Sequence, residues 1–517
     1  MTTPRASKPN AIAHDVVSSF VCVFFFSVLV LQIGCSKTPT VAGRVIVDGK
    51  PIANARVRIK GTTTQIQSDA DGRFSLQVAE ASLPLTVTAT AEGYFIGSCE
   101  YDKRSKSGDI ELSRLPEHDN ESYEWVNPIP DADSSDRCGN CHPEIFEQWN
   151  SGAHAQSLEN VHFTDLYAGT NRQTETVRET SWSLVRDRPE GIGVCTSCHA
   201  PSAELDQLAI GDIRDVHGVA KQGVHCDFCH KVESVSTENI GITHGRFAMK
   251  LLRPEHGQLF FGPLDDVDRG EDVYAPDFSN SEYCAACHEG TLFGVHVYGT
   301  YSEWLESPAR QSGKHCQDCH MKPDGAMTNI APDFGGIERD PATLASHQLF
   351  PGGQAEMLSR ALNVHVQVGQ PNAAVPVTVT LTATNVGHRV PTGFVDRHLI
   401  LIVEGIDAAG NPLPATEGPT LTGVAGSLAN KNGKLFAKQL FGENGATPVP
   451  FWAEVFEQRD TRLYPEKPDE SSFRFPPDSD QIRVRVIYRR FWESVEKEKG
   501  WADRSIIVYD QLHPVPR

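Results

Sequence analysis

Five copies of one pentapeptide constrain this chain more than any other feature. They are Cys138-Gly-Asn-Cys141-His142, Cys195-Thr-Ser-Cys198-His199, Cys226-Asp-Phe-Cys229-His230, Cys284-Ala-Ala-Cys287-His288 and Cys316-Gln-Asp-Cys319-His320. Together they take up all but three of the 13 cysteines. C-x-x-C-H is the attachment signature of c-type haem. Each thiol can form a thioether to one porphyrin vinyl group, and the adjacent imidazole then sits beneath the iron as its proximal ligand. Zinc knuckles, a disulfide framework and dithiol redox sites are the alternatives. Zinc does not require a His after every second Cys, and a disulfide framework has no reason to repeat one pentapeptide five times. The pattern therefore predicts five covalently bound haems c.

The remaining cysteines are Cys22, Cys35 and Cys99. The first two fall in a targeting segment: Arg5 and Lys8 precede an apolar run from Val16 to Gly34, and Cys35 follows at once. Residues 1–35 resemble a bacterial lipoprotein signal, which implies a lipid anchor at Cys35. An ordinary cleaved signal and an uncleaved anchor long enough to span a bilayer remain alternatives. All three place the body outside the cytoplasm, periplasmic or at the cell surface. Cys99 reads as an ordinary buried thiol.

The chain has 517 residues with a formal charge of −20, and 22% of them are charged. A wholly disordered chain, a polytopic membrane protein and a collagen-like repeat are excluded on composition. Nucleic acid is excluded as a main partner, because a phosphate backbone calls for a basic footprint.

The expected architecture is multidomain. Residues 36–113 alternate apolar and polar positions (Val45, Val47, Val57, Ile59, Leu85 to Ala89), with a turn at Asp48-Gly49 and an Asp71-Gly72 pair that marks a tight hairpin. This run resembles the carboxypeptidase regulatory-like domain, which implies a transthyretin-like β-sandwich and no peptidase activity. Residues 114–135 read as an acidic linker with Pro116, Pro128 and Pro130, expected to stay solvated. Residues 136–355 form the haem region, mostly helical or irregular and poor in aliphatic core. Its motifs start at intervals of 57, 31, 58 and 32 residues, which suggests an internal duplication. Residues 356–517, with strict alternation over Val377–Thr384 and Ile482–Tyr488, predict a C-terminal β-sandwich.

Each iron also needs a sixth ligand. Methionine is scarce and histidine plentiful, so bis-His coordination is the default. His154 is the first candidate. If Pro143 to His154 were one helix, His154 would lie about 18 Å along the axis from His142. The two axial nitrogens of one iron are only ~4 Å apart, so His154 would serve a neighbouring haem. His244, His296, His347 and His388 follow on position, His388 leaning out of the C-terminal domain, with His217, His225, His256 and His315 in reserve. Trp149 and Trp304 are expected against porphyrin edges.

Cys138 to Ala155 (CGNCHPEIFEQWNSGAHA) resembles the opening of the cytochrome c554/c′ multihaem family. GVHCDFCHKV at Gly223 to Val232, SEYCAACHE at Ser281 to Glu289, TYSEWLESP at Thr300 to Pro308 and HCQDCHM at His315 to Met321 are similar to elements of related multihaem cytochromes. The loop Gly387-His388-Arg389-Val390-Pro391-Thr392-Gly393 resembles part of the β domain often appended to them. The resemblance implies an extracytoplasmic electron carrier, although five motifs depart from the four haems of cytochrome c554. The acidic balance then implies redox partner proteins with basic docking surfaces. A multihaem reductase or oxidase of a small nitrogen or sulfur compound, with one open iron, is the enzymatic alternative, though no C-x-x-C-K occurs. A surface-binding adaptor that carries haem incidentally is the third.

Overall fold

The computed structural model describes residues 39–134, 136–172, 182–203, 211–349 and 354–517. The apolar segment with Cys22 and Cys35, and with it the anchoring expectation, lies outside them. Among the described residues, no helix is long and apolar enough to cross a membrane.

The N-terminal region is two small sheets over one core. Thr40–Val47 pairs with Lys50–Pro51, Arg73–Gln77 and Ile110–Glu111, while Arg56–Ile59 pairs with Gln65–Gln67 and Leu85–Thr90, the last also pairing with Gly97–Tyr101. Val41, Val45, Val57, Leu76, Val87 and Ala89 from both sheets meet between them. The Asp48-Gly49 turn forms with both residues at positive φ (50° and 71°), the conformation a two-residue hairpin needs. The Asp71-Gly72 expectation is corrected. The turn closes on itself (Asp69 N–H to Arg73 O, 2.9 Å), but its flanking strands belong to different sheets, so the chain crosses layers there. Cys99 is half-buried and packs against this core.

The linker is also corrected: it docks. Arg253 binds the Asp119 carboxylate, and Tyr123 and the Val126 N–H both donate to Asp227 (3.1 and 2.8 Å). Trp125 packs with Phe228, Val232 and Leu251. The cause is the fully buried ion pair of Asp227 with Lys231, four residues on. A buried carboxylate needs more donors than one ammonium supplies, and the linker provides them.

The haem region consists of short helices, none longer than eight residues among those described, and two-stranded ribbons. The segments around its second motif and the ribbon after its fourth share one hydrophobic cluster with the C-terminal region. Leu166, Tyr167, Leu184, Ala200, Val295 and Val297 pack with Val395, Leu440, Trp452, Phe491, Trp492 and Trp501. The aliphatic poverty of 136–355 is thus made good from outside.

In the C-terminal region a three-stranded sheet (Leu362–Val368, Val375–Ala383, Pro468–Phe475) shares a core with a six-stranded one built on His398–Ile406 and Gln481–Arg489. The strand from His398 is apolar at consecutive positions because both its faces are covered. Leu399, Leu401 and Val403 enter the inter-sheet core, while Ile400 and Ile402 pack with Leu421, Ala425 and Ile487.

Candidate haem-binding site

All five motifs fold as a single helical turn or lie on a short helix: Cys138–Cys141, Thr196–His199, Cys226–Cys229, Glu282–His288 and Gln317–His320. On such a turn positions i and i+3 share a face, so both thiols of each motif point the same way. Tertiary packing then brings thiols of different motifs together. Cys138 hydrogen-bonds with Cys226, Cys198 with Cys287, and Cys284 with Cys316, and each contact lowers the pKa of one partner and raises the other's. The first motif is therefore next to the third, and the fourth next to both the second and the fifth. Spacing in sequence does not reveal this order.

A continuous cavity of about 1030 Å³ runs past the first four motifs and is lined by their eight cysteines and by His142, His199, His230 and His288. Three motif histidines direct Nδ1 at a backbone carbonyl: His142 to Ile330 O (2.7 Å), His199 to Ser157 O (2.8 Å) and His230 to Phe261 O (2.6 Å). A ring that donates from Nδ1 carries its lone pair on Nε2, the tautomer a metal ligand requires. Burial pushes His142, His199 and His230 below the ordinary imidazole range. Burial, with the charges of His154 and His320 adding to it, takes His288 down to about 3. All four are neutral donors near pH 7.

Two of the anticipated sixth ligands face motif histidines. The ring centroids of His154 and His288 are 6.2 Å apart, and those of His320 and His388 are 6.3 Å apart. With two axial nitrogens ~4 Å apart on one iron, the ring centres beyond them fall at roughly 6 Å, so both pairs have the separation of trans ligands. The helix Pro143–Asn150 stops short of His154, which corrects the single-helix assumption. His154 is placed instead by its own carbonyl, which accepts from the Val224 N–H (3.1 Å). Gly223 permits that approach, because a Cβ there would stand 2.6 Å from His154 O and its φ is +66°. His388 projects from the loop after the strand Val375–Ala383 and is held by Nδ1 on Arg389 O (3.0 Å). His347 is half-buried, with Nδ1 toward Ala345 O (3.2 Å). Burial and the neighbouring His230, then His142, take its pKa to about 4.

The other candidates have other employment. His296 pairs through Nε2 with Glu289 (2.5 Å), whose second oxygen accepts from the Ser302 N–H, so that nitrogen is engaged. His244 lines the cavity, yet its ring contacts no other histidine ring. His225 is structural: it caps its own motif by accepting the Phe228 N–H on Nδ1 and meets Ser202 with Nε2. His315 accepts from the Ser281 N–H and packs against Trp304. His217 and His256 are exposed. Trp149 lines the cavity and donates to Val224 O, whereas Trp304 is buried away from it with Tyr301.

His162 had no motif to signal it, but it lines the cavity with its ring against Trp501 (4.6 Å) and Phe491 (5.0 Å). The second motif also differs from the fourth and fifth, since His199 stacks on Phe163 at 3.9 Å and 12°.

The residues present fit haem. They supply paired thiols on one face, neutral imidazoles with oriented tautomers, and a cavity walled by aromatic and aliphatic side chains. A zinc reading needs three or more donors converging on one point, and no such group exists among the described residues.

Residues 137–231 match the family cytochrome c554 and c-prime, and residues 40–96 match the carboxypeptidase regulatory-like domain. No curated protein matches the chain. Among solved structures, a penta-haem cytochrome c552 from Thermochromatium tepidum superposes over 76% of this chain and 100% of its own with a TM-score of 0.55, at 21% sequence identity. Residues 137–231 are thus similar to cytochrome c554 and c-prime, a likeness that supports covalently bound haem c and a redox role, and they are preceded by a segment similar to the carboxypeptidase regulatory-like domain.

Proposed function

We propose that this protein is an extracytoplasmic pentahaem electron carrier in which most irons are closed on both faces by histidine. The observation that carries this reading is the trans-ligand separation of His154 from His288 and of His320 from His388. Bound haem c supplies a one-electron iron couple whose potential its axial ligands and surroundings set. The chain does the rest. Cys138/Cys141, Cys195/Cys198, Cys226/Cys229, Cys284/Cys287 and Cys316/Cys319 would hold the five groups, with the motif histidines as ligands. His154 and His388 would serve the fourth and fifth sites, and His347 the third or the first. The thiol contacts order the motifs as a connected set in which the fourth is a junction with the second and fifth. After those contacts and burial, the nearby Cys229 adds to the raised pKa values of Cys284 and Cys287, which links the third motif to that junction. The charge of −20 suits partners with basic docking faces and salt-sensitive association. Lipidation at Cys35 would hold the protein at a membrane.

A second reading has a specific observation behind it. Among the described residues no second histidine ring is paired with His199 as at the fourth and fifth motifs, the ring stacked on it being Phe163, so a small-molecule reductase would have its open iron there. Carbon monoxide distinguishes the two, because it binds ferrous haem where the sixth position is free or weakly held. Unchanged visible spectra of the dithionite-reduced protein support the carrier. A change in about one-fifth of the Soret intensity, one haem in five, moves the assignment to the reductase. Fewer than five haems per chain in a pyridine haemochrome assay would overturn the pentahaem reading itself.

A further inference from the structure

The cavity wall beside the second motif is positively charged in a chain whose net charge is −20. Arg397 and Arg490 both line it, with Tyr298 and His162. The Tyr298 hydroxyl lies within electrostatic reach of Cys195 and Cys198 on one side and of Arg397 on the other, which ties the cluster to that motif. Arg490 is flanked by Arg397 and Arg504, and burial together with those two like charges holds its guanidinium below the ordinary arginine range. Arg504 and Arg490 also press on His162.

Among the described residues no carboxylate forms an ion pair with these guanidiniums, although Asp396 stands near Tyr298 and Asp165 near His162. Arg397 donates to a backbone oxygen, Thr392 O, at 3.1 Å, and neither Arg490 nor Arg504 has an ion pair. Elsewhere on the same cavity Lys60 faces Asp268, Arg269 faces Asp272 and Arg339 faces Asp266. With 67 acidic side chains available, two wall arginines left without an ion pair, with the exposed Arg504 beside them, represent an organised surplus of donors. The surrounding floor of Phe394, Phe451 and Phe491, with centroids 5.7 to 5.9 Å apart, keeps the local dielectric low and strengthens attraction to an anion. Guanidinium forks match carboxylate and oxyanion geometry in particular.

We propose that Arg397 and Arg490 form an anion site on this wall that takes a carboxylate or a small oxyanion. This rests on the second motif holding a haem, because two sources share the chemistry: the propionates of that haem, or a free oxyanion brought to it.

The test uses the five-haem holoprotein and the variants Arg490→Gln, Arg397→Gln and Arg490→Lys. Haem content comes first. Loss of one haem from the wild type would sink the underlying reading, and the haem assay detects it independently of midpoint potentials and anion binding. Spectroelectrochemical titration and a titration with sulfite then read the site. If propionates occupy it, R490Q makes one of the five components harder to reduce by about tenfold in its equilibrium, about 59 mV for one electron. Sulfite then leaves the spectra unchanged. If a free oxyanion occupies it, sulfite perturbs one haem of the wild type and its Kd rises at least tenfold in R490Q. In either case R490K retains part of the effect, since it keeps the charge and loses the fork. Should R490Q fail to accumulate, R397Q and R490K carry the same two readouts. Five unshifted midpoints in R397Q and in whichever Arg490 variant loads haem, together with no response to sulfite, would overturn the proposal.

Discussion

The two β regions flanking the haem region are attached to it by different physics. The C-terminal one shares its core: Trp452, Phe491 and Trp501 pack with Leu166, Tyr167 and Leu184. Trp501 Nε1–H donates to Asp165 (2.7 Å), and Lys499, fully buried, donates to Trp182 O (2.6 Å) and Asp165 O (3.0 Å). It also supplies His388, held near the fifth motif by Glu303, which accepts from Thr392 Oγ1 (2.6 Å) and the Arg389 N–H (3.2 Å) and pairs with Arg462 (2.7 Å). The N-terminal region instead presents a basic strand to an acidic loop. Arg56 and Arg58 meet Asp265, Lys60 meets Asp268, and the Gly61 N–H donates to Asp266 (2.8 Å). Its own core stays separate from any haem motif. One β region is thus part of the haem domain, and the other is docked on it mainly through charge, with Phe95 packed against Leu252, Leu259, Phe261 and Val273.

The largest consequence should appear on deletion. Removing 361–517 strips the second motif and the ribbon after the fourth of their shared core, and we expect no stable five-haem product. Removing 39–113 should leave haem content and visible spectrum intact. The opposite pattern, read from purified yield and haem per chain, would reverse the comparison.

Single core truncations sharpen it. Trp501→Ala should cost about 3–5 kcal/mol and lower the unfolding transition that carries the Soret signal. Leu76→Ala, 2% exposed in the N-terminal core, should cost about 2–5 kcal/mol in a separate transition without Soret change. One common transition for both variants in calorimetry would show the regions to be a single cooperative unit.

Smaller still is the docking contact. Asp265→Asn leaves Arg56 and Arg58 without their carboxylate and should weaken docking by about 1–3 kcal/mol, with the difference shrinking in salt because Arg56 is partly solvated. Limited proteolysis between the regions at low and high ionic strength would report it. Salt-independent cleavage would argue against charge as the glue.

The last consequence is in pH. Burial raises Asp396 and Glu496 of the C-terminal region to about 7. A carboxyl raised in the folded state binds protons the unfolded chain has released. That stability is therefore fully present below about pH 4 and is lost as pH rises toward about 7. At Asp268 burial opposes ionisation, but hydrogen bonds led by that from Lys60 outweigh it and lower the pKa. Docking is therefore favoured above the ordinary aspartate range and lost as pH falls through the lowered value. Thermal melts from pH 5 to 8 should show the C-terminal transition falling, and Asp396→Asn should flatten that slope. An unchanged slope in the variant would reassign it.

Much of the site was legible because it is local. The C-x-x-C-H signature needs only one helical turn, so five candidate attachment points and candidate proximal histidines could be named from the chain. His154 and His388, whose rings the structure sets near those of His288 and His320, were singled out by their motif surroundings, and the alternation at Val377–Thr384 marked its strand. The failures share another cause. The acidic linker has a solvated composition, yet it docks because a buried Asp227 lies elsewhere in sequence and needs donors. His296 and His225 look like any spare histidine until Glu289, or the Phe228 N–H and Ser202, occupy their nitrogens. His162 and the arginines beside it gave no signal, since nothing in sequence distance says that Arg397, Arg490 and Arg504 converge.

Covalent capacity belongs to the sequence of this protein alone: how many haems can be attached, by which thiols, and over which proximal imidazole. These depend on neighbours three or four residues apart, which a helical turn brings together whatever surrounds it. The tertiary structure alone decided which motifs adjoin, which distant histidine faces which proximal one, and which arginines are left without a carboxylate. Those outcomes depend on contacts across tens to hundreds of residues, where burial and charge balance select among chemically equivalent side chains.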